Sequence, residues 1–327
     1  EGLDENGRPI EIADARYGAV PYEQLPGPLG AHNWHPMAFN PDLNLAYIPA
    51  QEIPQSYARD SRFETQPVGW NTGADFAAGV PPIAPPEVAK FLRSTLKGRL
   101  IAWDPIAREA RWTVEHDNAW NGGVLSTAGG LVFQGKLNGD FAAYDAATGD
   151  KLWSHDLKSG GASGPGTFMI DGEQYVTITT GWGSAFGLSA GFAYDETVPS
   201  TVGKVVTFKL GGTGEIADPD FPMIDKTPKG EAFGDEALIA EGAVHYARNC
   251  TVCHGPLAVS SGVLPDLRWS AISGHAESFK GVVIDGNLAA NGMVSFADHL
   301  TPEEVESIRA YVLAQAHAAV PADAGGN

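Results

Sequence analysis

The chain has 327 residues, 43% of them hydrophobic, and carries a formal net charge of −19. That length is comfortable for two domains, and no apolar run is long enough to span a membrane. So acidic a chain argues against nucleic acid and anionic lipid surfaces as partners.

The opening residues Glu1 to Ile10 are charged and polar and contain no apolar signal core. Either a signal has been removed or this is not the true start. From there to about residue 212 the sequence is rich in Gly and Trp, with short alternating strands between turn signals, which reads as all-β. Leu45-Ala46-Tyr47-Ile48-Pro49 is one such strand. A Pro-rich loop runs from Val80 to Pro86.

One element repeats. Ala143-Tyr144-Asp145 through Thr148-Gly149 to Trp153 is a strand, a Thr-Gly turn and a second strand opened by tryptophan. Ala102, Asp104 and Trp112 stand at the same offsets 41 residues earlier, with Ala107-Arg108 in place of Thr-Gly. That spacing is the period of a four-stranded propeller blade, in which a Trp at a fixed place can pack between neighbouring blades. Trp103, Trp112 and Trp153 are therefore assigned to structure. Val202 to Phe208 opens a further copy, delayed by an insertion around Ser184 to Ser200. Three to four blades are expected, fewer than a closed propeller needs.

Gly211 to Gly234 is rich in Gly, Pro and Asp and reads as an extended tether. The expected domains are a propeller portion at 1–212, a linker at 213–235, an all-α domain at 236–319 and a disordered tail at 320–327.

Glu236 to Asn249 has the apolar spacing of a helix, with Leu238, Ile239, Val244, Tyr246 and Ala247 on its stripe. It leads into Cys250-Thr251-Val252-Cys253-His254. Two thiols three positions apart can each form a thioether to a haem vinyl group, and the adjacent imidazole becomes an axial iron ligand. The competing readings are a redox dithiol or half of a zinc site. Both cysteines of the chain are used here, so no second pair exists for zinc.

A sixth ligand is expected between the haem motif and the last helix. Met293 is the preferred candidate, since a thioether favours ferrous iron and raises the potential. His275 and His299 are the rivals, and Met293 as a core filler is the plain alternative. Thr301-Pro302-Glu303-Glu304 starts the last helix, with Thr301 as N-cap, Pro302 at the first position and Glu304 closing a capping box.

The segment from Gly242 and Tyr246 to Pro265-Asp266-Leu267 resembles a class I cytochrome c. In that family a carbonyl at the proline position orients the proximal imidazole, here His254. The first 210 residues resemble the second half of the eight-bladed propeller of pyrroloquinoline quinone (PQQ) dependent alcohol dehydrogenases, and the whole chain resembles the C-terminal part of a quinohaemoprotein alcohol dehydrogenase. The matching stretches are the tryptophan repeat, Gly2 to Pro9, Asn33-Trp34-His35-Pro36-Met37, Tyr47-Ile48-Pro49-Ala50, Asn121-Gly122-Gly123 and Gly181-Trp182-Gly183.

The resemblance implies covalent haem c, PQQ and calcium, with alcohol oxidised to an aldehyde or ketone. It implies a periplasmic location and a soluble electron acceptor such as a small cytochrome or copper protein. It places Asn33, Trp34, Trp182 and Gly183 beside the quinone; read from the residues alone, Trp34 and Trp182 could equally be core or docking residues. His32 and His35 flank the same loop and read as packing or surface residues.

The family's calcium carboxylate, catalytic aspartate and disulfide of adjacent cysteines lie in an N-terminal half that this chain lacks. A nicked or split enzyme completed by an N-terminal propeller-half polypeptide is therefore expected, with no catalytic residue in this chain. Two other readings stay open. A propeller without PQQ could serve as a non-enzymatic scaffold or electron-transfer module. Alternatively PQQ is kept but the substrate is a polyol, polymer or bulky secondary alcohol; calcium could also give way to a lanthanide.

Overall fold

In the computed structural model, residues 2–12, 15–66, 69–182, 185–193, 203–220 and 224–320 are described. The tryptophan repeat builds the first two large sheets. Strands β1 (Tyr22–Gln24), β2 (Ala38–Asn40), β3 (Leu45–Glu52) and β4 (Gln55–Tyr57) come first, and helix α1 (Pro86–Thr95) follows. Next are β5 (Lys97–Asp104), β6 (Glu109–His116), β7 (Val124–Ser126), β8 (Leu131–Gly135), β9 (Asp140–Asp145), β10 (Lys151–Asp156), β11 (Gly166–Ile170) and β12 (Glu173–Thr179). A short helix α2 (Ala185–Ser189) and strand β13 (Val205–Lys209) close this part.

The sheets are antiparallel and ordered β2-β3-β5-β6, β7-β8-β9-β10 and β11-β12-β13, with β1 and β4 as a separate ribbon. The repeat copies occupy equivalent places, as the third and fourth strands of the two four-stranded sheets. The Val202 to Phe208 match falls on β13, the third strand of the next sheet, although Val202 itself lies outside the described residues. Among the described residues no strand pairs with the far edge of β13.

Burial explains the stacking. Strand β3 alternates buried and half-buried residues along its whole length, and its Leu45 and Tyr47 pack with Leu100 and Ala102 against Val132, Ala142 and Tyr144 of the next sheet. Phe141, Leu157, Val176 and Ile178 form the corresponding layer one blade further on. Trp112 staples the first interface, its Nε1 donating to Ala146 O at 3.1 Å beside the Tyr47 hydroxyl, which donates to the same carbonyl at 2.9 Å. Trp153 meets Phe208 of β13 edge-on at 5.3 Å, so the second copy also faces the next sheet, through a ring contact.

The repeated Asp has a local job. Asp145 Oδ1 accepts from Ala147 N and Thr148 N at 2.8 and 3.0 Å, and Asp104 Oδ1 accepts from Ile106 N and Ala107 N at 2.9 Å each. These Asx turns reverse the chain between the two strands of the motif. The turn also needs a left-handed residue: Gly149 (φ 79°) in one copy and Arg108 (φ 60°) in the other.

Helix α1 is a departure from the all-β reading of this part. The Pro-rich loop is its entry: Pro85 is the N-cap, Pro86 the first helical residue, with Glu87 in the first turn and Arg93 in the last.

The C-terminal part consists of α3 (Glu236–Asn249), α4 (Thr251–His254), α5 (Ala276–Val283) and α6 (Pro302–Ala318), joined by 3₁₀ turns. Asp235 caps α3, accepting from Leu238 N at 2.9 Å, and the expected capping box of Thr301 and Glu304 starts α6. Helices α3 and α6 cross at Gly242, where a Cβ would lie 1.9 Å from Ser307 O. Only glycine permits that approach, and it brings the rings of Tyr246 and Tyr311 to 5.1 Å.

The helices rest on the sheets at several points. Gln315 of α6, which is buried, accepts from Ala84 N at 3.2 Å and donates to Pro82 O at 3.1 Å. Arg248 of α3 pairs with the nearly buried carboxylate of Asp60, and α2 packs against α4. Between the two parts residues 212–220 have no regular secondary structure, with Ile216 lying on the second interblade layer.

Candidate functional site

Helix α3 positions the two thiols. Its last turn continues into α4, with Cys250 N donating to Tyr246 O at 2.8 Å and His254 N to Cys250 O at 2.9 Å. Residues three apart on such a turn share a face. Cys250 is buried and Cys253 half-buried, and neither is in a disulfide. Burial pushes the Cys250 thiol up to about 12 and raises that of Cys253 as well, so both are held as neutral thiols.

The imidazole of His254 is buried, which lowers its proton affinity. The neutral ring donates Nδ1–H to Pro265 O at 2.9 Å. That bond fixes ring orientation and leaves the Nε2 lone pair for a metal. Pro265 is held in turn by its neighbour: Asp266 receives a bidentate pair from Arg268, Nε at 2.9 Å and Nη2 at 2.6 Å, with both side chains close to one-tenth exposed. Sequence reasoning quoted Asp266 but missed Arg268, whose only signal was its place two residues on. Tyr246 completes the support by donating its hydroxyl to Gly255 O at 2.8 Å.

Met293 is half-buried in the loop before α6 and packs on the core that contains Cys250, Phe279, Phe296 and Tyr311. His275 and His299 are both exposed, His275 at the start of α5 and His299 on a cleft of about 270 Å³ between the 60–76 segment and α3. Two thiols on one face, an oriented imidazole and a thioether on the same core fit a covalently held haem.

The quinone candidates lie elsewhere. Asn33 is half-buried and ties its own loop, Nδ2 donating to Leu29 O at 2.9 Å and Oδ1 accepting from Trp34 N at 2.8 Å. Trp34 is 52% exposed, and its indole stacks on His35 at 4.3 Å. One face of that indole is thereby covered, and an exposed aromatic ring with an amide beside it suits a planar, polar ring system. Trp182 is 3% exposed, against Gly160 and in one core with Trp120 and Phe186. Gly183 lies outside the described residues. Among the described residues no three His, Cys, Asp or Glu side chains are grouped to hold a metal ion, and no helix is long and apolar enough to cross a membrane.

Fold and site together define a class: a tryptophan-docked propeller segment carrying a cytochrome c domain. Residues 97–176 match the family described as the glucose/ethanol/alcohol dehydrogenase beta-propeller domain, and residues 237–312 match the cytochrome c oxidase, cbb3-type, subunit III family. The chain is similar in sequence to part of the quinohaemoprotein alcohol dehydrogenases. It is 39% identical to the quinohemoprotein alcohol dehydrogenase of Comamonas testosteroni and 41% identical to ADH-IIG of Pseudomonas putida, over 98% and 97% of its own length. It spans about 44% of the length of these relatives. The solved structure of ADH-IIG from Pseudomonas putida HK5 superposes with a TM-score of 0.84 at 38% identity, over 97% of this chain and 47% of that one.

Proposed function

We propose that the chain is the electron-transferring part of a PQQ-dependent quinohaemoprotein alcohol dehydrogenase. An alcohol is oxidised to an aldehyde or ketone in a propeller completed by a further segment, and electrons leave through the haem to a soluble acceptor such as a small cytochrome or copper protein. The observation that carries this is the Cys250-x-x-Cys253-His254 turn, its imidazole oriented by Pro265 O, packed through α4 onto α2 of the propeller segment.

When bound, PQQ takes two electrons from the alcohol and the haem iron passes them on one at a time. Cys250 and Cys253 would hold the haem as thioethers, and His254 Nε2 and the Met293 thioether would serve as the iron ligands. Asn33, Trp34, Trp182 and Gly183 are assigned to the quinone pocket. By the resemblance to the family, the calcium ligands and the base that takes the alcohol proton are assigned to the completing N-terminal segment. Among the described residues the far edge of β13 is unpaired, and with the exposed Phe168, Met169 and Ile170 of β11 this supports an incomplete propeller. Covalent haem attachment favours a periplasmic location.

Denaturing electrophoresis with haem staining, intact mass and quinone extraction on the native protein tests the proposal. Haem on this polypeptide, extractable PQQ and alcohol-dependent haem reduction are expected. Haem without quinone would replace the enzyme with a scaffold or electron-transfer module.

A further inference from the structure

Four rings form a line that neither the blade packing nor the haem motif requires. Trp34 stacks on His35 at 4.3 Å and 25°, His35 meets Trp120 edge-on at 4.9 Å, and Trp120 stacks on Phe186 at 4.6 Å and 15°. Phe186 belongs to α2, which packs against α4, the helix that carries Cys253 and His254. His35, Trp120 and Phe186 are each no more than 4% exposed, whereas Trp34 opens to solvent.

Two costs are concentrated in this line. His35 is buried with no hydrogen-bond partner for Nε2, and burying an unpaired polar nitrogen costs about 1–3 kcal/mol. Trp120 sits at φ 59°, a left-handed conformation that a bulky residue adopts only under strain. What the four positions share is an unbroken run of ring contacts, stacked at both ends and edge-on in the middle, from the exposed Trp34 to the helix that packs against the haem motif.

We propose that Trp34, His35, Trp120 and Phe186 form an aromatic relay that couples the exposed Trp34 face to the haem motif for electron transfer. Its donor rests on the quinone reading above. Each passage moves one electron from the reduced quinone to ferric haem, giving ferrous haem. Two passages, with two protons released to solvent and the haem re-oxidised by the acceptor in between, restore the quinone. The rings supply closely spaced π orbitals and are left unchanged.

The test uses the complete haem-loaded protein carrying Trp34→Cys. Both native thiols are expected to be consumed as thioethers, so the new cysteine takes a ruthenium photoreductant selectively, and flash-driven haem reduction is followed without alcohol or quinone. Trp120→Leu and Phe186→Leu should each slow that phase by about tenfold or more, the equivalent of about 1.4 kcal/mol in barrier, while Trp120→Phe keeps it close to the parent rate. Haem potential and spectrum should be the same in all. Leu variants as fast as the parent, or Trp120→Phe as slow as Trp120→Leu, would overturn the relay. If the flash phase responds as expected but alcohol reduces no haem in the unlabelled protein, the relay stands and the quinone donor falls.

Discussion

At the scale of single residues, the site is set by what surrounds each donor atom. His254 is a ligand candidate because Pro265 O takes its Nδ1 proton, and Met293 because it shares a core with Cys250 whereas His275 and His299 are exposed. Met293→Ala should leave the haem attached and lower its potential by on the order of 0.1 V, a modest part of the roughly 0.8 V that axial ligands command. A redox titration reads this directly; an unchanged potential would move the ligand to a histidine. His35 makes a different prediction. Burial, with His32 nearby, lowers its proton affinity to about 4, below the usual value near 6.5, so the folded chain resists a proton that the unfolded chain accepts. Stability contributed by the neutral ring is complete above pH 6.5 and is lost as pH falls towards 4. His35→Phe should therefore lose about 2–3 kcal/mol less than the parent between pH 7 and pH 4.5, measured by denaturant titration at the two values.

At the scale of elements, what could be read from the sequence was what neighbours encode. The ends of α3, the capping box of α6 and the strand-turn-strand copies follow from local spacing, and each has a local physical cause in Asp235, Thr301 and Asp145. Helix α1 was hidden because its prolines read as loop, although proline at a helix start is favourable. The repeat also shows which departures cost something. Gly149 has φ 79° and its Cβ position lies 2.8 Å from the Trp112 ring, so Gly149→Ala meets both strain and the docking tryptophan. Arg108 holds the matching left-handed turn without a clash to avoid. Gly149→Ala should destabilise by about 2 kcal/mol or more, from the roughly 1–2 kcal/mol of left-handed strain plus overpacking. Arg108→Gly should be neutral to about 1 kcal/mol stabilising, because glycine relieves that strain but loses chain entropy. Thermal unfolding of the pair checks the asymmetry between two turns that look alike in sequence.

At the scale of the whole molecule, function depends on contacts that no local pattern announces. Arg248 and Asp60 are 188 residues apart, and Gln315 and Ala84 are 231 apart, so neither pair leaves a period or motif in the sequence. These contacts hold the haem helices on the sheets in one orientation, and the relay proposed here is useful only if that orientation is kept. Gln315 is the sharper probe, because it is buried and uses both ends of its amide on backbone groups of the loop before α1. Gln315→Leu keeps the volume but strands Ala84 N and Pro82 O, at a cost of about 1–3 kcal/mol. That cost falls on the junction and on the neighbouring Tyr311 hydroxyl, which Gln315 also meets, and leaves the blade interfaces untouched. The Ala84 amide should then exchange roughly ten- to a hundred-fold faster, each 1.4 kcal/mol being tenfold in an opening equilibrium, while amides in β8 and β9 keep their protection. Uniform acceleration across the chain would mean that the junction is part of a single cooperative unit. Selective acceleration would make it a separable dock whose looseness also slows flash-driven haem reduction.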